Sequence, residues 1–455
     1  MIEVIVNRPS FEYDIHSLVK SFFPREDVQI HVQDTFTEDT ALRISVEFTD
    51  ETVSICLMEQ GEEKESGASV INYAERKETK NRLKRQLYQL LCAYTGQTLP
   101  WGTLTGIRPA KIAMGLIEQG MSNVETAEYM RNTYLASKEK VALSVMIANR
   151  ERYVLRNIDY KDGYSLYVGI PFCPSICLYC SFSSYPLERW RKQVDQYLDA
   201  LCKELDYVAD RFRDKKLNTV YIGGGTPTTL EPYQLDRLLT RIQRKFDTEY
   251  LQEFTVEAGR PDSITREKLQ VLLDHGIDRI SINPQTMNQK TLEIIGRRHT
   301  VDQVKEAFAL ARSMGFAHIN MDLIVGLPGE SYDDVEHTMK ELEAMAPDSV
   351  TVHSLAIKRA ARLSLFKDKY EEMGLENNMQ IMDMTARYCA EMGLSPYYLY
   401  RQKNMAGNFE NVGYAQPEKA GIYNILIMEE KQTIVACGAG ASTKRVWNKQ
   451  NPDGS

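Results

Sequence analysis

Three cysteines stand close together in the middle of the chain, at Cys173, Cys177 and Cys180, with the spacing C-x3-C-x2-C. Three thiolates on one loop can each bind one iron of a cubane [4Fe–4S] cluster, which leaves the fourth iron open to an outside molecule. A structural zinc site requires four ligands, and no further Cys or His follows at finger-like spacing. The spacing therefore predicts a [4Fe–4S] cluster with one open position, and zinc is the alternative.

The rest of the composition places this cluster in a reducing compartment. The other cysteines are scattered singly, without the spacing of a disulfide framework. The N-terminus has no basic segment followed by an apolar core, and no run approaches the roughly 18 apolar residues of a membrane span. We therefore expect a cytoplasmic protein that does not enter a membrane. A net charge of −8, from 55 Lys and Arg against 63 Asp and Glu, argues against a nucleic-acid partner.

The cysteine loop directly follows a predicted buried strand, SLYVGI, at 165–170. Five more apolar strands come after it, and amphipathic helical stretches separate them. Six such β-α units in ~195 residues favour an open, partial barrel with a parallel sheet, and a doubly wound sheet is the alternative. The later strands are predicted at 219–224, 253–258, 279–284, 318–326 and 349–357.

Glycine and polar residues follow the carboxyl ends of these strands, at the edge where parallel β-α folds keep their active sites. The triple glycine of GGGTPT, at 223–228, would let the backbone approach a ligand closely. Glu257, Asn283, Gln285 and Asp322 stand at or near the ends of later strands. Each alone could be a loop cap. As a set, their carboxylate, amide and backbone groups suit an amino acid together with ribose and adenine.

We predict four regions along the chain. The first of these regions ends in a long helical segment, predicted from about Glu65 to Gly96. The last region contains a helix followed by antiparallel strand-like pieces, one of which is GIYNILIME at 421–429. The regions are a small α/β domain with a long helix at 1–100, a helical linker region at 101–160, the partial barrel at 161–360 and a C-terminal extension at 361–455.

Several motifs together resemble the radical S-adenosylmethionine (SAM) superfamily. They are YVGIPFCPSICLYCSF, IGGGTPT, DRISINPQTMN followed by LEIIGRRHT, INMDLIVGLPGES and GAGAS. The set is most similar to the oxygen-independent coproporphyrinogen III oxidase (dehydrogenase) branch, and the N-terminal region with its WGTLTGIRP joint looks most like the Firmicutes-type coproporphyrinogen dehydrogenase subgroup. The resemblance implies an α/β fold with a partial (β/α)6 TIM-like barrel, a small N-terminal α/β unit plus helices, and a C-terminal α+β extension.

The resemblance also implies the residues that hold the cofactors, a [4Fe–4S] cluster and one or two molecules of SAM. Cys173, Cys177 and Cys180 would ligate the cluster. No residue is assigned as catalytic. The positions that match SAM contacts of the family are Tyr167, Tyr179, Gly224, Gly225, Thr226, Glu257, Gln285, Arg297, Asp322 and Ala356.

The activity that the resemblance implies is the oxidative decarboxylation of two propionates of coproporphyrinogen III to vinyl groups, in haem (porphyrin) biosynthesis. Such an enzyme has a tetrapyrrole substrate and an external electron donor such as flavodoxin or ferredoxin. The propionates of the substrate require cationic partners, for which a solvated surface position is the alternative. The candidate cations are Arg297, Arg298, Lys358, Arg359, Arg362 and Arg401.

The sequence departs from the pattern of the branch at two positions near the cluster. Gly169 stands where the oxidases have His, and Phe182 stands where they often have a further Cys. Two other functions therefore stay open. One is a radical SAM enzyme that methylates or opens haem or another tetrapyrrole, and the other is a non-enzymatic haem-binding or trafficking protein. His353, near the end of the sixth strand, is predicted to be a structural hydrogen-bonding residue.

Overall fold

The structure is a computed structural model that describes residues 1–32, 42–106, 108–358, 361–365, 373–401 and 409–447. The chain separates into two compact units, Met1–Ala148 and Asn149–Ser455. The division into four regions is finer than this separation and stays a prediction.

The first unit contains a mixed sheet and five helices in the part of the chain that the structure describes. Its elements are β1 (Ile2–Val6), α1 (Glu12–Phe22), β2 (Val28–Val32), β3 (Leu42–Phe48), β4 (Thr52–Glu59), β5 (Glu62–Val70), α2 (Arg76–Thr95), α3 (Pro109–Glu118), α4 (Asn123–Tyr134) and α5 (Lys138–Leu155), which runs on into the second unit. The strands lie in the order β2-β1-β3-β4-β5. Strand β1 is parallel to β2 and β3, and the later pairs are antiparallel.

One prediction for this unit is wrong. The helical segment was predicted to begin near Glu65, but Glu62–Val70 is strand β5, and helix α2 begins only at Arg76. Strand β5 lies at the edge of the sheet, and its side chains are mostly polar or small and largely exposed. An edge strand of this kind shows no apolar alternation, so the sequence pattern could not reveal it.

The second unit alternates strands and helices, as predicted. Its elements are β6 (Gly163–Ile170), β7 (Phe172–Cys173), β8 (Tyr185–Pro186), α6 (Leu187–Trp190), α7 (Val194–Arg211), β9 (Lys216–Gly224), α8 (Pro232–Lys245), β10 (Glu253–Gly259), α9 (Arg266–Asp274), β11 (Arg279–Ile282), α10 (Gln289–Ile294), α11 (Val301–Met314), β12 (His318–Val325), α12 (Tyr332–Met345), β13 (Ser349–Ser354), α13 (Arg362–Leu365), α14 (Met379–Glu391), β14 (Ser395–Tyr400), β15 (Asn411–Ala415), α15 (Ile422–Glu429) and β16 (Thr433–Cys437).

The large sheet of the second unit is the partial (β/α)6 barrel. Among the described residues its strands lie in the order β14-β15-β13-β12-β11-β10-β9-β6-β16. The six predicted strands, β6 and β9 to β13, are neighbours and run parallel. Their carboxyl ends therefore meet at one edge, and the cysteine loop leaves the first of them at that edge.

Amphipathic helices cover the outer face of this sheet. Helix α7, for example, buries Val194, Leu198, Leu201 and Leu205, which recur every three or four residues and form one apolar stripe. The opposite face of the helix is charged. Throughout the described ranges, no helix combines the length and the apolar character that crossing a membrane would require.

The C-terminal extension differs from the prediction in two ways. GIYNILIME forms helix α15 and not a strand. The Glu253 carboxylate supports its first turn by accepting hydrogen bonds from the Ile422 and Tyr423 amides (2.6 and 3.2 Å). A short apolar run cannot be assigned to strand or helix by periodicity alone. Strand β14 is an antiparallel addition, as predicted, and it pairs with β15, a strand that the sequence did not single out. Strand β16, in contrast, pairs in parallel with β6 at the opposite edge of the sheet.

Candidate functional site

The cysteine loop is fixed at the carboxyl edge of the barrel by backbone hydrogen bonds. The Leu178 amide donates to the Ile295 carbonyl, and the Leu363 amide donates to the Leu178 carbonyl, both over 2.9 Å. Cys173 and Cys177 are buried, and Cys180 is half-buried. The three predicted ligands are thus held on an ordered loop that shields them from solvent.

Burial raises the pKa of two of the three thiols. Burial raises the pKa of Cys173 to about 11, although the Thr226 hydroxyl, 3.6 Å from its sulfur, lowers the pKa in part. Burial also raises the pKa of Cys180. These thiols ionise near neutral pH only if positive charge such as iron compensates them. Within the described residues, no three Cys, His, Asp or Glu side chains converge on one ion.

A buried cation that the sequence did not single out lies beside the second cysteine. The Arg260 guanidinium, with 3% of its side chain exposed, is 3.9 Å from Cys177 Sγ through Nη1. The same nitrogen donates to Ser175 Oγ over 2.8 Å. Nε and Nη2 form a fork on the Asp262 carboxylate, over 3.0 and 2.7 Å. Arg260 follows directly after β10, but its position at a strand end was the one signal in the sequence and was too weak to single it out.

The glycines after β9 bring the backbone close to the cysteine loop. A Cβ at Gly225 would lie 2.6 Å from the Phe172 carbonyl oxygen and 2.8 Å from the Pro171 carbonyl carbon, so only glycine fits. The Gly225 amide donates to the Ile170 carbonyl (2.7 Å), and the Thr226 amide donates to the Phe172 carbonyl (2.8 Å). This contact explains the glycine-rich motif, because the second strand end directly supports the residue that precedes Cys173.

Glu257 lies inside the barrel beneath these glycines. The Tyr221 hydroxyl donates to Glu257 Oε1 over 2.6 Å. Burial, together with the nearby Asp322 carboxylate, raises the pKa of Glu257 to about 7, while Tyr221 and the Gly224 backbone act in the opposite direction. Tyr221 also stacks on Tyr423, with 4.5 Å between ring centroids. The carboxylate is therefore held in an aromatic surrounding and titrates near neutral pH.

Tyr167 belongs to the same aromatic group. Its ring is stacked with those of Tyr221 and Tyr423, at 6.2 and 6.4 Å between centroids. A Cβ at Gly224 would lie 3.4 Å from the Tyr167 hydroxyl, which places this predicted SAM-contact pair together. Tyr423 comes from helix α15, far away in the sequence, and no local pattern could have predicted its part in the site.

Asp322 is a second carboxylate of the barrel interior, with a different environment. Asn320 Nδ2 donates to Asp322 Oδ1 over 2.7 Å, and His353 Nε2 lies 3.8 Å from Oδ2. Although burial raises the pKa of Asp322, the polar contacts with His353, Asn320 and Thr351 outweigh it and lower the pKa. His353 is also 3.4 Å from the Tyr400 hydroxyl. It therefore makes hydrogen-bonding contacts, as predicted.

Two amide side chains near Asp322 keep buried acceptor atoms without a hydrogen-bond partner in the structure. They are Gln285 Oε1 and Asn283 Oδ1. Gln285 has φ of 69°, a left-handed conformation that costs a non-glycine residue energy and is held by backbone bonds to Asp322 and Ile324. Buried polar atoms are normally hydrogen-bonded, so these acceptors indicate a ligand with donor groups, such as an amine or hydroxyl.

Arg297 connects this region with the cysteine loop. Its guanidinium donates to the Asn283 carbonyl and lies beside Tyr179 and Cys177, whereas its Nε has no partner. Burial raises the pKa of the Tyr179 hydroxyl, and the neighbouring Arg297 opposes that rise. His299, fully buried near Arg297, has its pKa lowered to about 3 by burial and by the adjacent guanidinium groups. The Arg297 guanidinium is therefore a buried cation between the Asn283 backbone and the cysteine loop.

The remaining predicted positions fall outside this group of contacts. Ala356 is half-buried just beyond the end of β13. Of the other candidate cations, Arg298, Lys358 and Arg362 are exposed, Arg401 is buried near Glu410, and Arg359 lies outside the described residues. The cations thus do not form one recognisable propionate site among the described residues.

The two departures from the family pattern have different surroundings. A Cβ at Gly169 would lie 3.3 Å from the Ala439 carbonyl oxygen and 3.5 Å from Ala441 Cβ, so a loop of this chain occupies the space beside it. The Tyr197 hydroxyl donates to the Gly169 carbonyl over 2.6 Å. Phe182, in contrast, is 74% exposed. The Cβ of a larger residue at position 169 would therefore lie in close contact with that loop.

Taken together, the residues present fit a cubane cluster and a nucleotide-bearing amino acid. The donor set consists of buried thiols, a glycine cradle, two carboxylates that differ in pKa, two amide acceptors without partners and a guanidinium. These are the groups that a cluster, a ribose, an amine and a carboxylate require.

Comparison with known proteins gives the same assignment. The family model described as Radical SAM superfamily matches residues 167–342. The oxygen-independent coproporphyrinogen-III oxidase-like protein HemZ of Bacillus subtilis is 44% identical over 372 residues, which are 81% of this chain and 74% of that protein. The heme chaperone HemW of Lactococcus lactis is 33% identical over 284 residues, which are 61% of this chain and 69% of that protein.

A solved structure supports the fold. The coproporphyrinogen III oxidase HemN of Escherichia coli, a radical SAM enzyme, has a TM-score of 0.51 and 24% identity, over 63% of this chain and 66% of that one. The radical SAM superfamily uses a [4Fe–4S] cluster and SAM, which agrees with the donor set above. The chain belongs to the coproporphyrinogen III oxidase family of radical SAM oxidoreductases.

Proposed function

We propose that this protein catalyses the oxygen-independent oxidative decarboxylation of two propionate side chains of coproporphyrinogen III, which gives two vinyl groups. The observation that carries the proposal is the convergence of the cysteine loop, the glycine cradle and the Glu257–Tyr221 pair at one edge of the barrel. The relation to HemZ, an oxidase-like protein, favours a tetrapyrrole substrate.

The chemistry balances with one outside electron acceptor. When bound, the cluster and SAM supply hydrogen-atom abstraction from an unactivated carbon. The propionate loses a hydrogen atom from its β-carbon, and then CO2 and one electron leave as the carbon–carbon double bond forms. Reduction of the cluster requires an external donor, for which we propose a flavodoxin- or ferredoxin-type protein.

Residues of the chain would bind and orient the cofactors. We propose that Cys173, Cys177 and Cys180 hold the cluster and that Arg297 binds the SAM carboxylate. Glu257, oriented by Tyr221, would accept hydrogen bonds from ribose hydroxyls. The other proposed SAM contacts are Tyr167, Tyr179, Gly224, Gly225, Thr226, Gln285, Asp322 and Ala356. One or two SAM molecules fit this set of groups.

Two groups of aromatic and apolar side chains would exclude water from the site. The stacked rings of Tyr167, Tyr221 and Tyr423 cover the Glu257 side of the interior, and Leu178 packs with Leu292, Ile295 and other apolar residues behind the cysteine loop. Exclusion of water prevents side reactions of reactive species.

The test is an anaerobic assay of the reconstituted protein with SAM, a reductant and coproporphyrinogen III. The proposal predicts a divinyl product and two equivalents of 5′-deoxyadenosine per product, detected by chromatography with mass spectrometry. A Cys177→Ser variant is the control and should form neither. SAM cleavage that is not stimulated by coproporphyrinogen would overturn the proposal.

A second candidate is haem binding or trafficking, which the similarity to the heme chaperone HemW favours. It predicts stoichiometric haem binding and no vinyl product in the same assay. A third possibility, methylation or ring opening of haem, predicts 5′-deoxyadenosine only when haem is present. Parallel incubations with haem and with coproporphyrinogen III distinguish the three.

A further inference from the structure

We propose that Arg260 is a positioning residue that sets the reduction potential of the cluster through its contact with Cys177. The inference rests on the cluster-binding role of the cysteines and not on the identity of the substrate. It would survive if the substrate were haem in place of coproporphyrinogen III.

The Arg260 guanidinium contacts the cysteine loop at the proposed cluster ligand Cys177. One nitrogen, Nη1, points towards both Cys177 Sγ (3.9 Å) and Ser175 Oγ (2.8 Å). Ser175 Oγ in turn donates to the Gly296 carbonyl over 2.9 Å, which fixes the hydroxyl. The donor nitrogen therefore has little freedom to move away from the sulfur.

Asp262 holds the guanidinium from its other side. The fork of Nε and Nη2 on the Asp262 carboxylate is bidentate, a geometry that fixes orientation as well as charge. The backbone supports this arrangement, because the Ser263 amide and hydroxyl both donate to the Arg260 carbonyl, over 3.0 and 2.7 Å. Arg260 is thus oriented before any cofactor binds.

Burial makes this charge effective at the cluster. The Arg260 side chain is 3% exposed, whereas the Asp262 side chain is 21% exposed, so solvent screens the carboxylate more than the guanidinium. The other titratable groups that face this region are Arg297, which is charged, and His299, whose imidazole is neutral near pH 7. Arg297 donates to the Asn283 carbonyl and is proposed to meet SAM, which leaves Arg260 as a fixed cation on the protein side.

The sign of the effect follows from the charge. Reduction adds an electron to the cluster, and a nearby cation or a hydrogen bond to a ligand sulfur stabilises the reduced state. Arg260 should therefore raise the reduction potential, and Asp262, whose side chain is more exposed, should lower it to a smaller extent. If Arg260 and Asp262 had only a structural role, their removal would not shift the reduction potential in opposite directions.

The experiment is an EPR-monitored redox titration of the reconstituted full-length protein without SAM. The variants are Arg260→Gln, Arg260→Lys, Asp262→Asn and the double variant Arg260→Gln/Asp262→Asn. The matched control is Arg266→Gln, which removes the same charge from an exposed position at the start of α9. Iron and sulfide content is measured for each protein before the titration.

We expect Arg260→Gln to lower the ratio of reduced to oxidised cluster at a fixed potential about tenfold, a shift of about 59 mV for a one-electron couple. Arg260→Lys, which keeps the positive charge but loses the two-pronged contact with Asp262, should keep the reduction potential close to that of the wild type. Asp262→Asn should move the potential in the opposite direction, and the double variant should fall between the single variants. Arg266→Gln should match the wild type.

Two results would overturn the inference. One is a potential in Arg260→Gln equal to that of the Arg266→Gln control, and the other is a shift of the same sign in Arg260→Gln and Asp262→Asn. If Arg260→Gln does not retain iron, Asp262→Asn decides alone. A higher potential then supports the inference, and an unchanged or lower potential contradicts it.

Discussion

The Tyr221 hydroxyl donates a 2.6 Å hydrogen bond to Glu257, and this bond keeps the carboxylate from becoming still more basic in a buried site. The pKa of Glu257 is raised to about 7, mainly by burial, and Asp322 adds to the rise. The proposed ribose-binding carboxylate is therefore ionised only above neutral pH, where it is the better acceptor.

We predict that SAM affinity increases as pH rises through 7, by up to about tenfold for each pH unit below the pKa. Tyr221→Phe should shift the midpoint upward, because it removes a hydrogen bond that lowers the Glu257 pKa. Equilibrium dialysis across about two pH units measures the dependence. Glu257→Gln is the control, since it retains any pH dependence that SAM itself contributes. A flat wild-type profile relative to this variant would contradict the assignment.

Arg297 and Arg298 offer a matched pair of adjacent cations, one buried and one exposed. Arg297→Gln should weaken SAM binding by roughly 10- to 150-fold, because a charge-assisted hydrogen bond contributes about 1.5–3 kcal/mol. Arg298→Gln should change it less than about twofold. Calorimetric titration with SAM gives both values. Equal losses in the two variants would remove Arg297 from the proposed SAM site.

The contact between Gly225 and the Phe172 carbonyl predicts that a single methyl group displaces the cysteine loop. We expect Gly225→Ala to lose most of its iron after reconstitution, because the added Cβ would meet backbone atoms at 2.6–2.9 Å. Gly115→Ala in helix α3 is the control. Its Cβ would meet nothing within 4 Å, and alanine favours a helix by about 1 kcal/mol. Normal iron content in Gly225→Ala would show that the loop tolerates the methyl group.

The ligand set is tested by Cys177→Ser, which should abolish the visible iron–sulfur absorption while circular dichroism stays close to that of the wild type. Cys202→Ser is the matched control, because Cys202 is also buried but lies on helix α7. We expect that variant to keep its absorption. An intact spectrum in Cys177→Ser, or zinc in place of iron in the wild type, would contradict the cluster assignment.

The sequence predicted those parts of the site that local patterns encode. Spacing alone indicated the three cysteines, and alternation of strands and helices indicated the barrel edge on which Glu257 and Asp322 lie. Arg260 was missed although it follows strand β10, because a lone arginine after a strand has no distinctive pattern. Its role depends on a contact with Cys177, 83 positions away.

Helix α15 was assigned wrongly for a related reason. Its residues are apolar enough for a buried strand, and the Glu253 carboxylate that caps its first turn is 169 positions away in the chain. Tyr423 enters the aromatic group only because this segment is a helix. Interactions of this range depend on the completed fold, and short-range periodicity does not contain them.

Strand β16 has a consequence for the order of events during synthesis. Residues Thr433–Cys437 form the parallel neighbour on one side of β6, whose other side pairs with β9. The strand that leads into the cysteine loop thus lacks one of its two partners until residues 433–437 have been synthesised, after every other described strand of the sheet. Complete pairing of β6, and with it the full support of the cysteine loop, therefore comes after synthesis of those strands.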